Sequence, residues 1–256
     1  MRPADELLGL VEAYLDELEL AEELGALKQP IRYALDGGGK RLRPVLCLAV
    51  AEAAGAEPED ALPAAAAIEL VHTFSLVHDD LPALDDDDER RGRPSVHVAF
   101  GEADAILAGD ALLAEALRLA LSYEDAGVAR ELVGAVLGMI GGQARDVGGD
   151  NGDIAALHRL KTGRLFAASV GCALRAAGVP ESEQGPWRAF GEELGPLFQI
   201  VDDILDGDGV VLVHGADAAR DLADEAAERA LARLRELPAD TAVLEEIVAD
   251  LAARTA

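Results

Sequence analysis

The spacing of alanine and leucine along this chain constrains its fold more than any other feature. Both residues recur every three or four positions between glutamate and arginine, in stretches of ten to twenty residues that end at proline or glycine. They lose little conformational freedom in a helix, and this spacing places their side chains on one helical face. Strand-like runs that alternate β-branched and polar residues are scarce. The sequence therefore predicts an all-α fold.

Proline and glycine divide the chain into predicted helices joined by short connections. These helices span residues 7–24, 30–35, 44–54, 63–80, 102–123, 129–149, 153–177, 186–205, 216–237 and 240–253, and a short apolar run occupies 210–213. A chain of 256 residues can bury one large core. Since no linker or low-complexity tract interrupts it, we expect a single domain over residues 1–256.

The excess of acidic residues limits the classes of molecule that the protein is expected to bind. The chain carries 49 acidic and 22 basic residues, a formal net charge of −27. Nucleic acid and anionic membrane surfaces both attract basic proteins, so neither is expected as a partner, whereas divalent cations are. No uncharged stretch reaches the roughly 18 residues that a membrane span needs, and the N-terminus lacks a signal-peptide core. We expect a cytoplasmic protein without a membrane span.

Two acidic clusters, at 77–88 and 198–206, lie within or directly after strongly apolar segments, where charge is costly. Asp202 and Asp206 are four residues apart, so a helix presents both on one face, and they repel each other unless a cation lies between them. In the first cluster, Pro82 disturbs the helix, which allows two extra residues before Asp85. An EF-hand calcium loop beginning at Asp206 is excluded, because its sixth position, which requires glycine, is Val211.

Carboxylate ligands select hard cations such as Mg²⁺, which takes much of its coordination shell from water and substrate phosphates. Three basic segments provide anion-binding groups. They are the loop 37–44 before a helix, the run 90–93 after the first acidic cluster, and 161–163 within a predicted helix. Each basic segment alone could be solvated surface, but their combination in an acidic chain predicts a diphosphate held between two helices by Mg²⁺.

The order of these motifs resembles that of the trans-isoprenyl diphosphate synthases. The resemblance covers residues 37–206. It comprises the Gly-Gly-Lys-Arg-Leu-Arg-Pro loop, the aspartate-rich motif with its trailing Arg-Arg-Gly, Gly-Gly-Gln at 141–143, Lys-Thr-Gly at 161–163, and Phe-Gln-x-x-Asp-Asp-Ile-Leu-Asp at 198–206. The family's fold surrounds a deep central apolar cavity with helices. Its members are homodimers, for which the 102–123 helix is a candidate interface.

The resemblance also implies a role for individual residues. Isopentenyl diphosphate would be held by Lys40, Arg43, His72 and Arg91. The allylic diphosphate would be contacted by Arg90 and Lys161, and bound through about three Mg²⁺ ions. The Mg²⁺ ligands would be Asp79 and Asp85, supported by Asp80, together with Asp202 and Asp206. Thr162 and Gln199 would direct dipoles at the allylic cation that forms on ionisation.

Two further features bear on the product and on activity. Phe74 precedes Asp79 by five residues, about 7 Å deeper along a helix, and in the family an aromatic residue there, with the two-residue insertion, resembles bacterial farnesyl diphosphate synthases. The resemblance fails after Asp206, because the lysines of the family's next loop are absent. Arg220 is a candidate to replace them.

Several alternatives remain open on the sequence alone. The product could be geranylgeranyl diphosphate or another short-chain polyprenyl diphosphate. A class I terpene cyclase shares metal-triggered ionisation, although it does not need the cationic residues around Lys40 and Arg43. A regulatory subunit of a heteromeric synthase would not need intact aspartates, and a purely structural acidic helical protein would need none of these motifs.

Overall fold

The computed structural model describes residues 1–149 and 154–254, and these form an all-α fold, as predicted. The helices are α1 (Ala4–Glu17), α2 (Lys28–Leu35), α3 (Leu42–Ala53), α4 (Leu62–Asp79), α5 (Val96–Phe100), α6 (Glu102–Ala120), α7 (Gly127–Val147), α8 (Ile154–His158), α9 (Arg164–Ala176), α10 (Gly185–Asp206), α11 (Gly209–His214), α12 (Ala216–Arg235) and α13 (Ala242–Ala253). The two-residue strands β1 (Glu89–Arg90) and β2 (Arg93–Pro94) pair antiparallel. Short 3₁₀ helices span Glu22–Leu27, Pro58–Ala61 and Glu181–Glu183.

The predicted helix at 7–24 is wrong beyond Glu17. The chain becomes extended at Leu18 because Leu18 and Leu20 both turn into the core. The Arg32 guanidinium donates to the carbonyl of Leu15 at 2.6 Å and to that of Leu18, which satisfies the free carbonyls at the helix end. A pattern of apolar spacing cannot reveal such a cap, because Arg32 belongs to the next helix.

The predicted helix at 153–177 differs in another way. Its first residue, Asp153, lies outside the described residues. Within the described part, a single π-helical turn, Arg159–Gly163, separates α8 from α9. Lys161 and Thr162 therefore lie on a widened turn and not in a regular α-helix. Such turns are frequent at functional sites.

Helix α4 is the central helix of the core and packs against α6, α3 and α9. Its four consecutive alanines, at 64–67, are all buried and allow neighbouring backbones to approach closely. Among the described residues, only Pro58–Asp79 is apolar and long enough to cross a membrane by composition and length, and 67% of its most apolar window is buried inside the protein. That burial is typical of a core helix.

Helix α10 packs against α12 and α9 and carries the second acidic cluster at its C-terminal end. It ends at Asp206, where Gly207 adopts a left-handed conformation with φ of 71°. The first cluster follows the C-terminal end of α4, which is Asp79. The core thus presents both acidic clusters at the ends of buried helices.

Candidate active site

The loop after α4 folds back on the helix end and returns Asp85 towards Asp79. The backbone N–H of Asp85 donates to the carbonyl of Asp79 at 2.9 Å, and that of Asp87 donates to the carbonyl of Asp80 at 3.2 Å. The predicted break in the helix is confirmed, since α4 ends before Pro82. Burial, reinforced by the Asp85 and Asp80 carboxylates, raises the pKa of Asp79 to about 6, although the Lys161 ammonium opposes this shift.

Asp80 is buried, with 2% of its surface exposed, and pairs with Arg90. The Arg90 Nε donates to Asp80 Oδ1 at 2.9 Å, and its Nη2 donates to Asp87 Oδ2 at 2.8 Å. Arg90 lies on β1, so the small hairpin fixes its position beside the acidic cluster. The charge of Asp80 is therefore compensated by the protein itself, in contrast to that of Asp79.

The second acidic cluster divides into ligand-like and structural carboxylates. Burial and the Asp206 carboxylate raise the pKa of Asp202, as expected for two like charges on one face. Asp203 is 3% exposed and accepts hydrogen bonds from Gln199 Nε2 at 2.7 Å and from the Val210 N–H at 3.0 Å. Asp203 thus attaches the start of α11 to α10, whereas Asp202 and Asp206 lack such an anchoring role in the described contacts.

A cationic cavity of about 430 Å³ lies beside the second cluster. It is lined by residues that include four predicted ligands of isopentenyl diphosphate, Lys40, Arg43, His72 and Arg91, together with Asp202 and Arg254. Burial and the surrounding arginines, Arg43 first among them, hold the pKa of His72 well below its usual range, so the ring is neutral. The structure brings all four predicted residues to one cavity.

Arg43 stacks over two aromatic rings at this cavity. Its guanidinium carbon is 4.3 Å from the centre of the Phe166 ring and 5.1 Å from that of Phe198. Burial lowers its pKa to about 10, so it stays charged at neutral pH. Its buried Nε has no hydrogen-bond partner among the described residues, which is costly for a charged group and leaves a donor for an anion.

The loop that carries Lys40 is held by Arg41, a residue to which the sequence analysis gave no role. Arg41 adopts a left-handed conformation with φ of 43°, which is strained for a residue other than glycine. Its buried guanidinium donates to Glu69 at 2.6 Å, to Glu12 at 2.9 Å and to the carbonyl of Leu35 at 2.7 Å. These bonds stabilise the strained turn and turn Lys40 towards the cavity.

Arg91 docks on the same loop. Its guanidinium donates to the carbonyl of Gly38, and a Cβ on Gly39 would lie 2.6 Å from Arg91 Nη1. Gly39 also has φ of 137°, which side chains rarely tolerate. Glycine is thus required at position 39, where the basic loop and the basic hairpin meet.

A second, largely apolar cavity of about 490 Å³ extends from the first acidic cluster. Phe74 and side chains of α7 provide much of its wall. Its polar groups come from Ser75, His78, Asp79, Gln143 and Lys161. The Phe74 ring is 7% exposed and meets the His78 ring edge-on, with 5.1 Å between centroids. This cavity has the shape and polarity expected for a hydrocarbon chain with an anionic head.

The π-turn contributes Lys161 to the apolar cavity and contacts a glycine on each side. A Cβ on Gly142 of α7 would lie 2.8 Å from the Lys161 backbone nitrogen, and one on Gly195 of α10 would lie 2.5 Å from the Gly163 Cα. Real side chains cannot enter such gaps, so helices α7 and α10 grip the turn backbone directly. The position of Lys161 and Thr162 is fixed by this contact.

Side-chain bonds then orient the groups on the turn. Lys161 Nζ pairs with Asp146 of α7 at 2.7 Å. Thr162 Oγ1 donates to Gln199 Oε1 at 3.1 Å, and Gln199 Nε2 donates to Asp203, so the Gln199 carbonyl is directed at the turn. The π-turn thus connects the first cluster, through Lys161 and Asp79, with the second cluster on α10.

The donor chemistry fits Mg²⁺. Asp79 and Asp202 are carboxylates whose pKa is raised by burial and by the repulsion of neighbouring carboxylates, and a divalent cation relieves both effects. Within residues 1–149 and 154–254, no three carboxylate, imidazole or thiol groups form a closed metal-binding cluster. Asp79 and Asp85 on one side, and Asp202 and Asp206 on the other, are the groups that could hold the metal.

Sequence reasoning missed four residues of the site: Arg41, Asp146, Asp203 and Arg254. Arg41, Asp146 and Arg254 contact groups that are distant in sequence, so no local motif reveals them. Asp203 lies within the 198–206 motif, and its bonds to Gln199 and Val210 are local. The suggestion that Arg220 replaces the missing lysines is not supported by its position, since it pairs with Asp217 on the surface. Arg254 instead lines the cationic cavity, where burial lowers its pKa and Asp202 lies within electrostatic reach.

Comparison with known proteins is consistent with this geometry. A family model described as Polyprenyl synthetase matches residues 25–254. Farnesyl diphosphate synthase of Bacillus subtilis is 40% identical over 214 residues, which are 78% of this chain and 71% of that enzyme. Geranylgeranyl diphosphate synthase of Cyanophora paradoxa is 42% identical over 192 residues, 69% of this chain and 64% of that enzyme. The chain thus spans about two thirds of the length of these relatives.

Solved structures share the fold over nearly the whole chain. A geranyltransferase from Legionella pneumophila superposes with a TM-score of 0.88 and 32% identity, covering 98% of this chain and 96% of that one. A geranylgeranyl pyrophosphate synthase superposes with a TM-score of 0.90 and 28% identity, covering both chains completely. The similar proteins therefore include enzymes with products of different length.

Proposed function

Since the chain belongs to the polyprenyl synthetase family, we propose that it condenses isopentenyl diphosphate head to tail with an allylic diphosphate, chiefly to farnesyl diphosphate. The carrying observation is a pair of cavities along α4, of which Glu69 and His72 line one and the segment 74–79 lines the other. One is cationic and holds Lys40, Arg43 and Arg91, and the other is apolar with Asp79 and Lys161 at its polar end. Such a pair suits two diphosphates, of which only one carries a hydrocarbon chain of variable length.

In this proposal, the allylic substrate binds with its hydrocarbon chain in the apolar cavity and its diphosphate between the two acidic clusters. Mg²⁺, when bound by the aspartates, stabilises the negative charge that develops on the leaving diphosphate. Lys161, held by Asp146, and Arg90, held by Asp80, add positive charge at the same place. Ionisation breaks the allylic C–O bond, and its electron pair leaves with the diphosphate.

The second substrate then reacts with the allylic cation. Lys40, Arg43 and Arg91 hold the diphosphate of isopentenyl diphosphate, and neutral His72 donates or accepts a hydrogen bond there. The Thr162 hydroxyl and the Gln199 carbonyl direct their dipoles at the cation. The double bond of isopentenyl diphosphate attacks the cation, and the released diphosphate accepts the proton that is lost. The apolar walls exclude water from the cation.

Phe74 supports the assignment of a 15-carbon product, because its ring stands in the wall of the apolar cavity. We expect Phe74→Ala to enlarge the cavity and shift the products to 20 carbons or more. Phe190→Leu, a change at a fully buried core position, is the control that should leave the product lengths unchanged. Product chromatography measures both variants, and an unaltered product distribution in Phe74→Ala would refute the role.

Incubation with isopentenyl diphosphate, Mg²⁺ and dimethylallyl, geranyl or farnesyl diphosphate, followed by product chromatography, tests the whole proposal. Condensation to 15 carbons supports it, and a 20-carbon product supports geranylgeranyl diphosphate synthesis, which relatives of similar identity carry out. Cyclic hydrocarbons would favour a terpene cyclase. No reaction without a second subunit would favour a regulatory role.

We also propose that the protein is a homodimer. Ile106 and Leu107 on α6 and Val133 and Leu137 on α7 are each between 41% and 66% exposed. Clustered apolar side chains of this size are unusual on a monomer surface and are typical of subunit contacts. Sedimentation equilibrium would detect the dimer, and a monomer at micromolar concentration would contradict it.

A further inference from the structure

Gln143 has a side-chain amide that none of the described residues uses. Both its Nε2 and its Oε1 are buried from solvent, and neither has a hydrogen-bond partner within residues 1–149 and 154–254. A buried amide without partners is costly in free energy, because it has lost water without gaining another hydrogen bond. Such a group is retained in a fold when something outside the fold completes its bonding.

Gln143 is a polar residue in an otherwise apolar stripe of α7. Its neighbours along the same stripe of α7 are Met139, Ile140, Ala144 and Val147, and all of them line the apolar cavity. An apolar side chain of similar volume at position 143 would continue this stripe and leave no unsatisfied group. The amide is therefore unfavourable for the free protein, and its bonding partner belongs in the cavity.

The polar groups nearest along the wall indicate which part of a ligand the amide meets. Asp79 and Lys161 line the same cavity as Gln143. Asp146, which holds Lys161, lies three residues after Gln143 on α7 and hence on a neighbouring part of the helix surface. Gln143 thus stands where the apolar wall ends and the charged groups begin.

We propose that Gln143 is a further catalytic residue, whose Nε2 donates a hydrogen bond to the diphosphate of the allylic substrate. The inference rests on the proposed function and adds a group to its first step. As the allylic C–O bond breaks, negative charge grows on the leaving oxygen, and a hydrogen bond from a neutral donor in a dry site strengthens. Gln143 transfers no proton, and the electron pair leaves with the diphosphate.

Three variants test this assignment. Gln143→Met has a similar volume without the amide, Gln143→Glu has the same shape without the donor, and Leu132→Met is a control at a fully buried core position of the same helix. Thermal unfolding of the free protein, calorimetric titration with Mg²⁺ and inorganic pyrophosphate, and steady-state kinetics are measured for each.

We expect Gln143→Met to melt about 2–4 °C higher than the parent protein, because an unsatisfied amide is gone. Its pyrophosphate affinity should fall about 10-fold and its kcat about 10- to 100-fold, with KM for isopentenyl diphosphate unchanged. Gln143→Glu should lose at least as much, since its charge repels the diphosphate. Leu132→Met should keep the kcat and the pyrophosphate affinity of the parent protein.

Other outcomes overturn the proposal in separable ways. Parent-level kcat in Gln143→Met would show that the amide has no catalytic role, and a lower melting temperature would show that the fold uses it. Full activity in Gln143→Glu would exclude the donor role. An inactive parent protein would refute the proposed function, whereas loss confined to the Gln143 variants leaves that function standing and supports the inference.

Discussion

Gly142 and Gly141 offer a test of the π-turn with a neighbouring control. A Cβ at position 142 would lie 2.8 Å from the Lys161 nitrogen, whereas one at 141 would meet nothing within 4 Å. Ordinary contact begins at 3.4 Å, so alanine at 142 must displace the turn backbone or α7 by about 0.6 Å. Backbone atoms cannot rotate away as a side chain can.

The expected magnitudes follow from this geometry. Gly141→Ala removes a flexible residue from a helix and should stabilise the protein by about 0.5–1 kcal/mol. Gly142→Ala has the same gain but adds an overpacking penalty of about 1–3 kcal/mol, so it should be less stable than Gly141→Ala by that amount. A displacement of Lys161 of this size should lower kcat about 10- to 100-fold. KM for isopentenyl diphosphate should change little, because Lys40 and Arg91 lie on other elements.

Urea unfolding and steady-state kinetics of prenyl transfer measure both variants side by side. Gly195→Ala perturbs the turn from the opposite side and should behave as Gly142→Ala does. If Gly142→Ala keeps kcat within about threefold of the parent protein, catalysis does not depend on the exact position of the π-turn, and the prediction is wrong. It is also wrong if Gly141→Ala loses as much activity, because the loss then does not come from contact with Lys161.

Three further predictions concern charged residues. Folding raises the pKa of Asp79 from 3.8 to about 6, so the free energy of unfolding of the protein should fall as pH rises through this window. The variant Asp79→Asn should not show this fall. In urea unfolding at pH 7.5 it should be more stable than the parent protein, although it should be inactive. Arg41→Gln strands the Glu69 carboxylate and should cost about 3–5 kcal/mol in urea unfolding, and the added change Glu69→Gln should restore part of it. Arg254→Ala should raise KM for isopentenyl diphosphate several-fold, whereas Arg220→Ala should not; equal effects would contradict the placement of Arg254 at the cavity.

The ligand-like residues could be predicted from sequence because their chemistry conflicts with their surroundings. Asp79 and Asp202 are acids within apolar helices, and like-charged neighbours at helical spacing indicate a cation. The basic residues Lys40, Arg43 and Arg91 were grouped through the family resemblance, and the structure brings them to one cavity. The all-α fold could be predicted because apolar residues recur at helical spacing along the sequence.

What the sequence did not predict depends on partners that are distant along the chain. Arg41 lies in the same basic run as Lys40, but its side chain is buried and forms ion pairs with Glu69 and Glu12. Asp203 is an exception, because it lies in the motif that the sequence predicts to bind Mg²⁺ and its partners Gln199 and Val210 are close in sequence. The π-turn has no signature of its own, because it arises where Gly142 and Gly195 let two helices approach its backbone. The end of α1 likewise depends on Arg32 of another helix.

The central claim is that the two acidic clusters bind one Mg²⁺–diphosphate group together. The most direct test is calorimetric titration of Mg²⁺ and inorganic pyrophosphate into the parent protein, Asp79→Asn, Asp202→Asn and the double variant. We predict that each single change nearly abolishes the Mg²⁺-dependent binding of pyrophosphate and that the second adds little. Fully additive losses, or binding that does not require Mg²⁺, would show that the clusters act separately and would contradict the account.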